Sequence, residues 1–278
     1  MTTFPLFHLP LVAMEHVLCI LNPFELIKLS LTSSKAKNDV KKFKTRFRVL
    51  VYLTENPRVQ IKGKSKKKRR LWEYCWTIDK SMTTNNHNVF YFLENPIKDM
   101  MKRFSYIQEV LRCHIEYINF DLHYSPTENK LITDWLRSLQ KSVDKIVAEA
   151  FNQKFDDDLK YLLSNITVSK KLWLRTTRHR DDFELEIPQG LLYLNVSNSR
   201  FIKYGQLLRL KAVNIILRES ILTSQEISGF LKSWMSGESH LDLDAFQINV
   251  SGPEAMEEIM DLSDEMTTDP NVMEKMRK

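Results

Sequence analysis

Apolar residues recur at helical spacing early in the chain and at strand spacing soon after. Leu9-Pro10 opens a predicted helix over residues 11–21, with Val17, Leu18 and Leu21 at i, i+1, i+4 on one side. A proline is tolerated at a helix start because its missing N–H would have had no partner there. Asn22-Pro23-Phe24-Glu25 predicts the second helix, with Asn22 as N-cap, Pro23 at N1 and Glu25 at N3. That variant of the capping box stabilises a helix end by about 1 kcal/mol. Leu26, Ile27, Leu29 and Leu31 make its apolar side, and Thr32-Ser33-Ser34 turns into a basic third helix over 35–44. Three helices in roughly 40 residues bury too little apolar surface to be stable alone. Such a module is either the first lobe of a larger core or a docking unit covered by another protein.

Residues 47–53, 58–61, 71–78 and 89–93 are short runs of aromatic and β-branched residues between polar turns, and predict an antiparallel β region. Ile97, Met100, Phe104, Ile107 and Leu111 restore a helical period over 97–112. Strand-like runs then begin near Ile115, Val143, Lys171, Leu191, Ala212 and Leu241, with helices between most of them. Ser125-Pro126-Thr127-Glu128 predicts an N-cap for Leu131, Ile132, Trp135, Leu136 and Leu139. Thr223-Ser224-Gln225-Glu226 does the same for Ile227, Phe230, Leu231 and Trp234, with Gly237 placed to end that helix. Alternating strands and helices imply right-handed crossovers and a mainly parallel, curved sheet resembling stacked leucine-rich-repeat units. The predicted class is α/β: a three-helix module over 1–45, antiparallel strands and a connecting helix over 46–114, and an irregular leucine-rich-repeat-like β-α array over 115–252. An acidic tail occupies 253–278.

Composition narrows the chemistry. The 278 residues are 43% hydrophobic and 27% charged, the balance of a globular protein of one large domain or two ordinary ones. The glycines stand at 63, 190, 205, 229, 237 and 252, too far apart for a phosphate-cradling loop. Neither a G-x-S-x-G elbow nor an H-E-x-x-H zinc helix is present. Cys19, Cys75 and Cys113 are odd in number and widely spaced, which argues against a disulfide scaffold or cysteine zinc site and fits a reducing compartment. The apolar stretch 4–24 lacks a preceding Lys or Arg and is broken by Pro5, His8, Pro10, Glu15 and His16, so it does not read as a secretory signal. No run reaches about 18 uninterrupted apolar residues, so no membrane span is expected. The sequons at Asn165, Asn195 and Asn249 then read as chance matches. An intracellular location follows, cytoplasmic, nuclear or both.

The net charge of +6 is local. Lys62, Lys64, Lys66, Lys67, Lys68, Arg69 and Arg70 fall within nine residues, and without them 34 basic residues face 35 acidic ones. A solvated hairpin tip is the simplest reading of the run. Nuclear localisation through Lys64, Lys66, Lys67, Lys68, Arg69 and Arg70 comes second. Nucleic-acid contact ranks below both, because no aromatic residue inside the run could stack on a base.

Three clusters deserve weighing as catalytic or metal sites. Cys113-His114 with His123 lacks the cationic setting that activates a thiol, and reads as a buried cysteine at a helix end. Asp156-Asp157-Asp158 suits a helix N-terminus better than a metal, since adjacent helical residues point different ways. His179-Arg180-Asp181-Asp182 reads as surface loop. No catalytic residue, metal or cofactor is expected.

Two stretches resemble known families. Phe4-Pro5-Leu6-Phe7-His8-Leu9-Pro10 followed by Asn22-Pro23-Phe24-Glu25-Leu26-Ile27-Lys28-Leu29-Ser30-Leu31-Thr32-Ser33 closely resembles an F-box, in the form seen in the expanded nematode families. Lys41-Lys42-Phe43-Lys44 stands where many F-boxes carry a tryptophan. The resemblance implies docking onto a Skp-family adaptor and, through it, a cullin–RING ubiquitin ligase. It further implies that Leu9, Pro10, Val17, Leu18, Leu21, Pro23, Leu26 and Leu29 sit at or beneath the adaptor interface. Leu191-Leu192-Tyr193-Leu194-Asn195-Val196-Ser197, Ser220-Ile221-Leu222-Thr223, Phe230-Leu231-Lys232-Ser233-Trp234 and Leu243-Asp244-Ala245-Phe246-Gln247-Ile248 look like a type-2 F-box-associated domain. That likeness implies capture of a target protein by a subunit without catalysis of its own. The alternative from another class is a nuclear nucleic-acid-binding or scaffold protein using Lys62–Arg70.

Overall fold

The computed structural model describes residues 9–43, 47–63, 71–250 and 253–260. The chain forms two compact units, one reaching to Val147 with Tyr161–Thr167, the other comprising Ala148–Lys160 and the chain from Val168 onward.

The first unit opens with α1 (Leu11–Ile20), α2 (Pro23–Ser30) and α3 (Ser34–Lys42). The capping box at α2 forms as its residues suggest: Asn22 Oδ1 accepts from the Glu25 amide at 3.0 Å, and Glu25 Oε2 accepts from the Asn22 amide at 2.7 Å. Strands β1 (Arg48–Leu53), β2 (Arg58–Lys62), β3 (Leu71–Thr77) and β4 (Asn88–Phe92) lead to α4 (Pro96–Leu111), β5 (His114–Asp121), α5 (Asn129–Leu139) and β6 (Ser142–Ala150). The strand order is β6-β5-β1-β2-β3-β4. β2 pairs antiparallel with β1 and β3, while β5 runs parallel to β1 with a register shift at Val49/Leu50. β4 lies parallel to β3, where continuation of the antiparallel series was expected. The stretch from Ile78 to His87 is too long for a hairpin turn and carries the chain back to the start of β3.

Helix α4 closes one face of these strands, burying Met100, Phe104, Ile107, Val110 and Leu111. Trp76 is fully buried and donates its Nε1–H to Asp99 Oδ2 at 2.8 Å. The three N-terminal helices join the same core. Phe24 meets the Tyr74 ring edge-on at 4.7 Å, Ser30 Oγ lies 3.0 Å from the Tyr106 hydroxyl, and Lys37 and Lys41 hold Glu109 at 3.0 and 2.9 Å. That packing answers the shortage of apolar area in a three-helix module: α4 and β3 supply the rest.

The start of α5 differs from expectation. Ser125–Glu128 forms a separate turn, closed by the Glu128 amide on the Ser125 carbonyl at 2.9 Å, and the helix begins at Asn129. Ser-Pro-Thr-Glu suits a turn as well as a cap, and Glu128 is drawn instead to Lys98 at 2.9 Å.

The second unit contains the start of α6 (Asp156–Asn165), then β7 (Thr167–Thr176), β8 (Leu191–Val196), α7 (Tyr204–Leu207), β9 (Ala212–Leu217), α8 (Ser224–Met235), β10 (Ala245–Ile248) and α9 (Pro253–Met260). β7 to β10 lie side by side in chain order, all parallel. Leu172, Leu194, Ile215 and Phe246 form one row across them, and Phe246 meets Phe230 of α8 at 4.7 Å. The crossovers are unequal. No helix occurs between β7 and β8, and only the single turn of α7 joins β8 to β9. The α8 capping box forms between Thr223 and Glu226, and Gly237 adopts φ +73° just beyond the helix, a conformation that favours glycine. Strand β10 starts at Ala245, four residues after the expected Leu241, which lies in a turn and is 81% exposed. The expected acidic tail begins as α9, which buries Ile259; residues 261–278 lie outside the described residues.

Candidate functional site

The residues implicated in adaptor docking divide by depth. Leu18 and Leu26 are each 1% exposed and Pro23 is buried, so they form the floor of the helical module. Leu9, Val17, Leu21 and Leu29 are half-buried, and Pro10 is exposed. The apolar residues that reach solvent are others: Leu11 (64% exposed), Val12 (65%), Ile20 (81%) and Leu31 (67%). Leu11, Val12 and Ile20 belong to α1 and Leu31 is the C-cap of α2, and exposed aliphatic side chains of this kind are candidates for cover by a partner. Sequence periodicity singled out none of the three on α1, because Leu-Val-Ala-Met-Glu-His-Val-Leu-Cys-Ile is apolar on nearly every side and defines no single buried stripe, and it placed Leu31 on the apolar side of the second helix, where that residue instead reaches solvent.

The clusters weighed for chemistry resolve as structure. Cys113 is buried, and desolvation pushes its thiol up to about 12. Half-buried Cys75 is raised likewise to about 12, by burial and then by the carboxylate of Glu73. Neither provides a thiolate nucleophile at neutral pH. His123 bonds Asp121 at 3.2 Å, and His114 faces Asp144 at 3.8 Å, so the two histidines are engaged separately. No group of His, Cys, Asp or Glu suited to a metal occurs among the described residues.

His179 overturns its expected place on the surface. Its side chain is 4% exposed, and its Nδ1 lies 2.7 Å from Asp156 Oδ1, a carboxylate that is 1% exposed. Nε2 lies 3.0 Å from the Thr176 hydroxyl. The ring stacks on Phe183 at 4.2 Å and meets Phe201 edge-on at 5.3 Å. Asp156 also accepts from the Arg180 amide at 2.9 Å, and Arg180 clasps Asp157 at 2.6 Å. Carboxylate, imidazole and hydroxyl stand in the sequence of a nucleophilic triad. The arrangement does not work as one, because Thr176 is 2% exposed and the ring is held between two phenylalanines. It pins the helix-free segment between β7 and β8 to the start of α6. The sequence signal was there in Asp156 and His179, but 23 residues separate them and no spacing rule links them.

The basic run begins at Lys62, which pairs with Leu71 at the end of the antiparallel β2–β3 ladder where the chain passes from one strand to the other. The candidate localisation residues Lys64, Lys66, Lys67, Lys68, Arg69 and Arg70 lie outside the described residues. No helix among the described residues is long and apolar enough to cross a membrane.

Comparison with protein families gives two matches. Residues 6–47 match the F-box domain, covering α1 to α3, and residues 182–248 match the F-box associated family FBA_2, covering β8 to β10. Neither gives support to a leucine-rich-repeat affinity for the β-α array. No curated protein and no solved structure matches the chain.

Proposed function

We propose that the chain is the substrate-recognition subunit of an SCF-type cullin–RING ubiquitin ligase. The F-box helices dock a Skp-family adaptor, and through it a cullin, while the second unit holds a protein target. The observation that carries this reading is the coincidence of the F-box match with Leu11, Val12 and Ile20 on α1 and Leu31 at the C-cap of α2, exposed aliphatic side chains within the matched residues. The F-box associated match in the second unit supports the target-binding role. Such a subunit performs no bond chemistry. It raises the effective concentration of a target beside the ubiquitin-carrying enzyme, so proximity supplies the acceleration. The buried, mutually satisfied His179 and Asp156 and the raised thiols of Cys75 and Cys113 agree with a non-catalytic role. The likeness to the nematode form rests on the residues quoted above.

Affinity purification of the intact chain from cells, with mass spectrometry, tests the proposal because it reports adaptor, cullin and target together. Point substitution is the proper perturbation. Cutting away residues 1–45 would strip Phe24 from Tyr74 and Ser30 from Tyr106, and so damage the first unit itself. Recovery of the intact chain without adaptor or cullin would refute the proposal.

A further inference from the structure

The strand register of the second unit sorts its side chains into two faces. The row Leu172, Leu194, Ile215 and Phe246 lies toward α8. The opposite face carries the row Lys171, Tyr193, Asn214 and Ala245, then the row Trp173, Asn195, Ile216 and Gln247. Beyond these, at the C-terminal ends of the strands, lies a hollow of about 710 Å³. Arg175, Ser197, Arg218 and Asn249 line it, and Phe151 and Ile248 give it an apolar side. Phe151 is 48% exposed there. An adjoining hollow shares Thr177 and Glu219 with it and adds Arg178 and Arg200.

The charges are unequally matched. Arg218 donates to Asn195 Oδ1 at 2.8 Å, a neutral partner, and Lys171 lies over the Tyr193 ring at 5.9 Å. Arg178 and Arg200 line the second hollow and have no carboxylate partner among the described residues. Arg175 is shared with Glu149 at 3.1 Å, while Glu219 accepts from Asn198 at 2.8 Å. Arg180, in the second hollow, is taken up by Asp157. The remaining four cations lining the two hollows (Arg175, Arg178, Arg200 and Arg218) therefore face two lining carboxylates, Asp181 and Glu219, the second of which already accepts from Asn198.

We infer that this groove binds an acidic peptide segment carrying one bulky apolar side chain, which packs against Phe151 and Ile248 while its carboxylates meet Arg175 and Arg218. The inference deepens the target-capture reading above and rests on it. Gln247 lines the hollow with its side-chain amide, and the Nδ2 group of Asn249, whose Oδ1 accepts from the Ser220 amide at 2.9 Å, adds a second donor for a peptide backbone. A small cation excess beside an apolar pocket suits a peptide. A nucleic acid would need a cation for each of many phosphates.

Fluorescence anisotropy on the full-length chain provides the test. The probe is a short fluorescein-labelled peptide of Glu and Ser around one central Phe, compared with versions having Gln for Glu and Ala for Phe. The acidic Phe peptide should bind about tenfold tighter than either, with affinity falling as salt rises. The double variant Arg175→Gln/Arg218→Gln should lose that advantage, and Arg218→Lys should keep most of it. Circular dichroism establishes that each variant is folded. If the double variant does not fold, the single variant Arg218→Gln, at an exposed side chain whose hydrogen-bond partner is the neutral Asn195, carries the same expectation of weaker binding. Equal binding of the Glu and Gln peptides, or undiminished binding by the folded variants, overturns the inference. Tighter binding of a single-stranded oligonucleotide than of the acidic peptide also overturns it. Adaptor binding is measured on the same preparations: its failure strikes the ligase reading and leaves the peptide result standing.

Discussion

Replacing His179 with alanine removes the central piece of the buried cluster in the second unit, and the cost can be worked from its contacts. Asp156 Oδ1 loses the donor 2.7 Å away, and an unmet buried acceptor costs about 1–3 kcal/mol. The imidazole also gives up its stack on Phe183 at 4.2 Å and its edge contact with Phe201. That apolar burial adds roughly 1.5 kcal/mol, for a total of about 2.5–4.5 kcal/mol. His179→Phe separates the two parts, because it retains a ring between the phenylalanines and loses both polar partners. It should cost only the hydrogen-bonding part, about 1–3 kcal/mol. Urea unfolding monitored by circular dichroism gives the stabilities, and hydrogen exchange of the amides in 177–190 shows where protection is lost. A loss below about 1 kcal/mol for His179→Ala would refute the structural role assigned to the cluster.

Depth in the helical module predicts different outcomes for neighbouring leucines. Leu26→Ala should cost about 2–5 kcal/mol, because it opens a cavity at a residue that is 1% exposed, whereas Leu31→Ala should fall within about 0.5 kcal/mol of the wild type; chemical denaturation distinguishes them. At pH 8 the native protein should expose one fast-reacting thiol, Cys19, to a disulfide reagent, while Cys75 and Cys113, both pushed up to about 12, stay protonated and slow until urea is added. Rapid reaction of all three in the native state would contradict the burial described.

The features legible in the sequence are those fixed by a few adjacent residues. The capping boxes at Asn22/Glu25 and Thr223/Glu226, and the helix stop at Gly237, form where the letters place them because each is a local hydrogen-bond arrangement. Ser125-Pro126-Thr127-Glu128 used the same letters and misled, since a turn satisfies the same backbone groups and Lys98 competes for the Glu128 carboxylate. The parallel placement of β4 depended on the length of the return loop, which apolar alternation does not encode. Strand β10 was displaced because Leu241 is apolar yet stands in a turn, four residues ahead of the pairing with β9. The helical module was legible as a unit, but which of its apolar residues reach solvent was not. Leu18 and Ile20 are equally apolar, and only the packing of α1 decides which one is buried. The groove across β7 to β10 was illegible, since its arginines come from separate strands and loops brought together by register.

The proposed docking of a Skp-family adaptor on the F-box helices rests on apolar residues that those helices expose. Its most direct test is titration of a purified Skp-family adaptor into the full-length chain by isothermal calorimetry, beside the variant Leu11→Asp/Ile20→Asp. Both positions are solvent-exposed, so the variant should unfold at the wild-type temperature. Saturable binding is expected of the wild type, and a loss of at least about tenfold in affinity of the variant. Absence of binding by the wild type, or equal affinity in the folded variant, would contradict it.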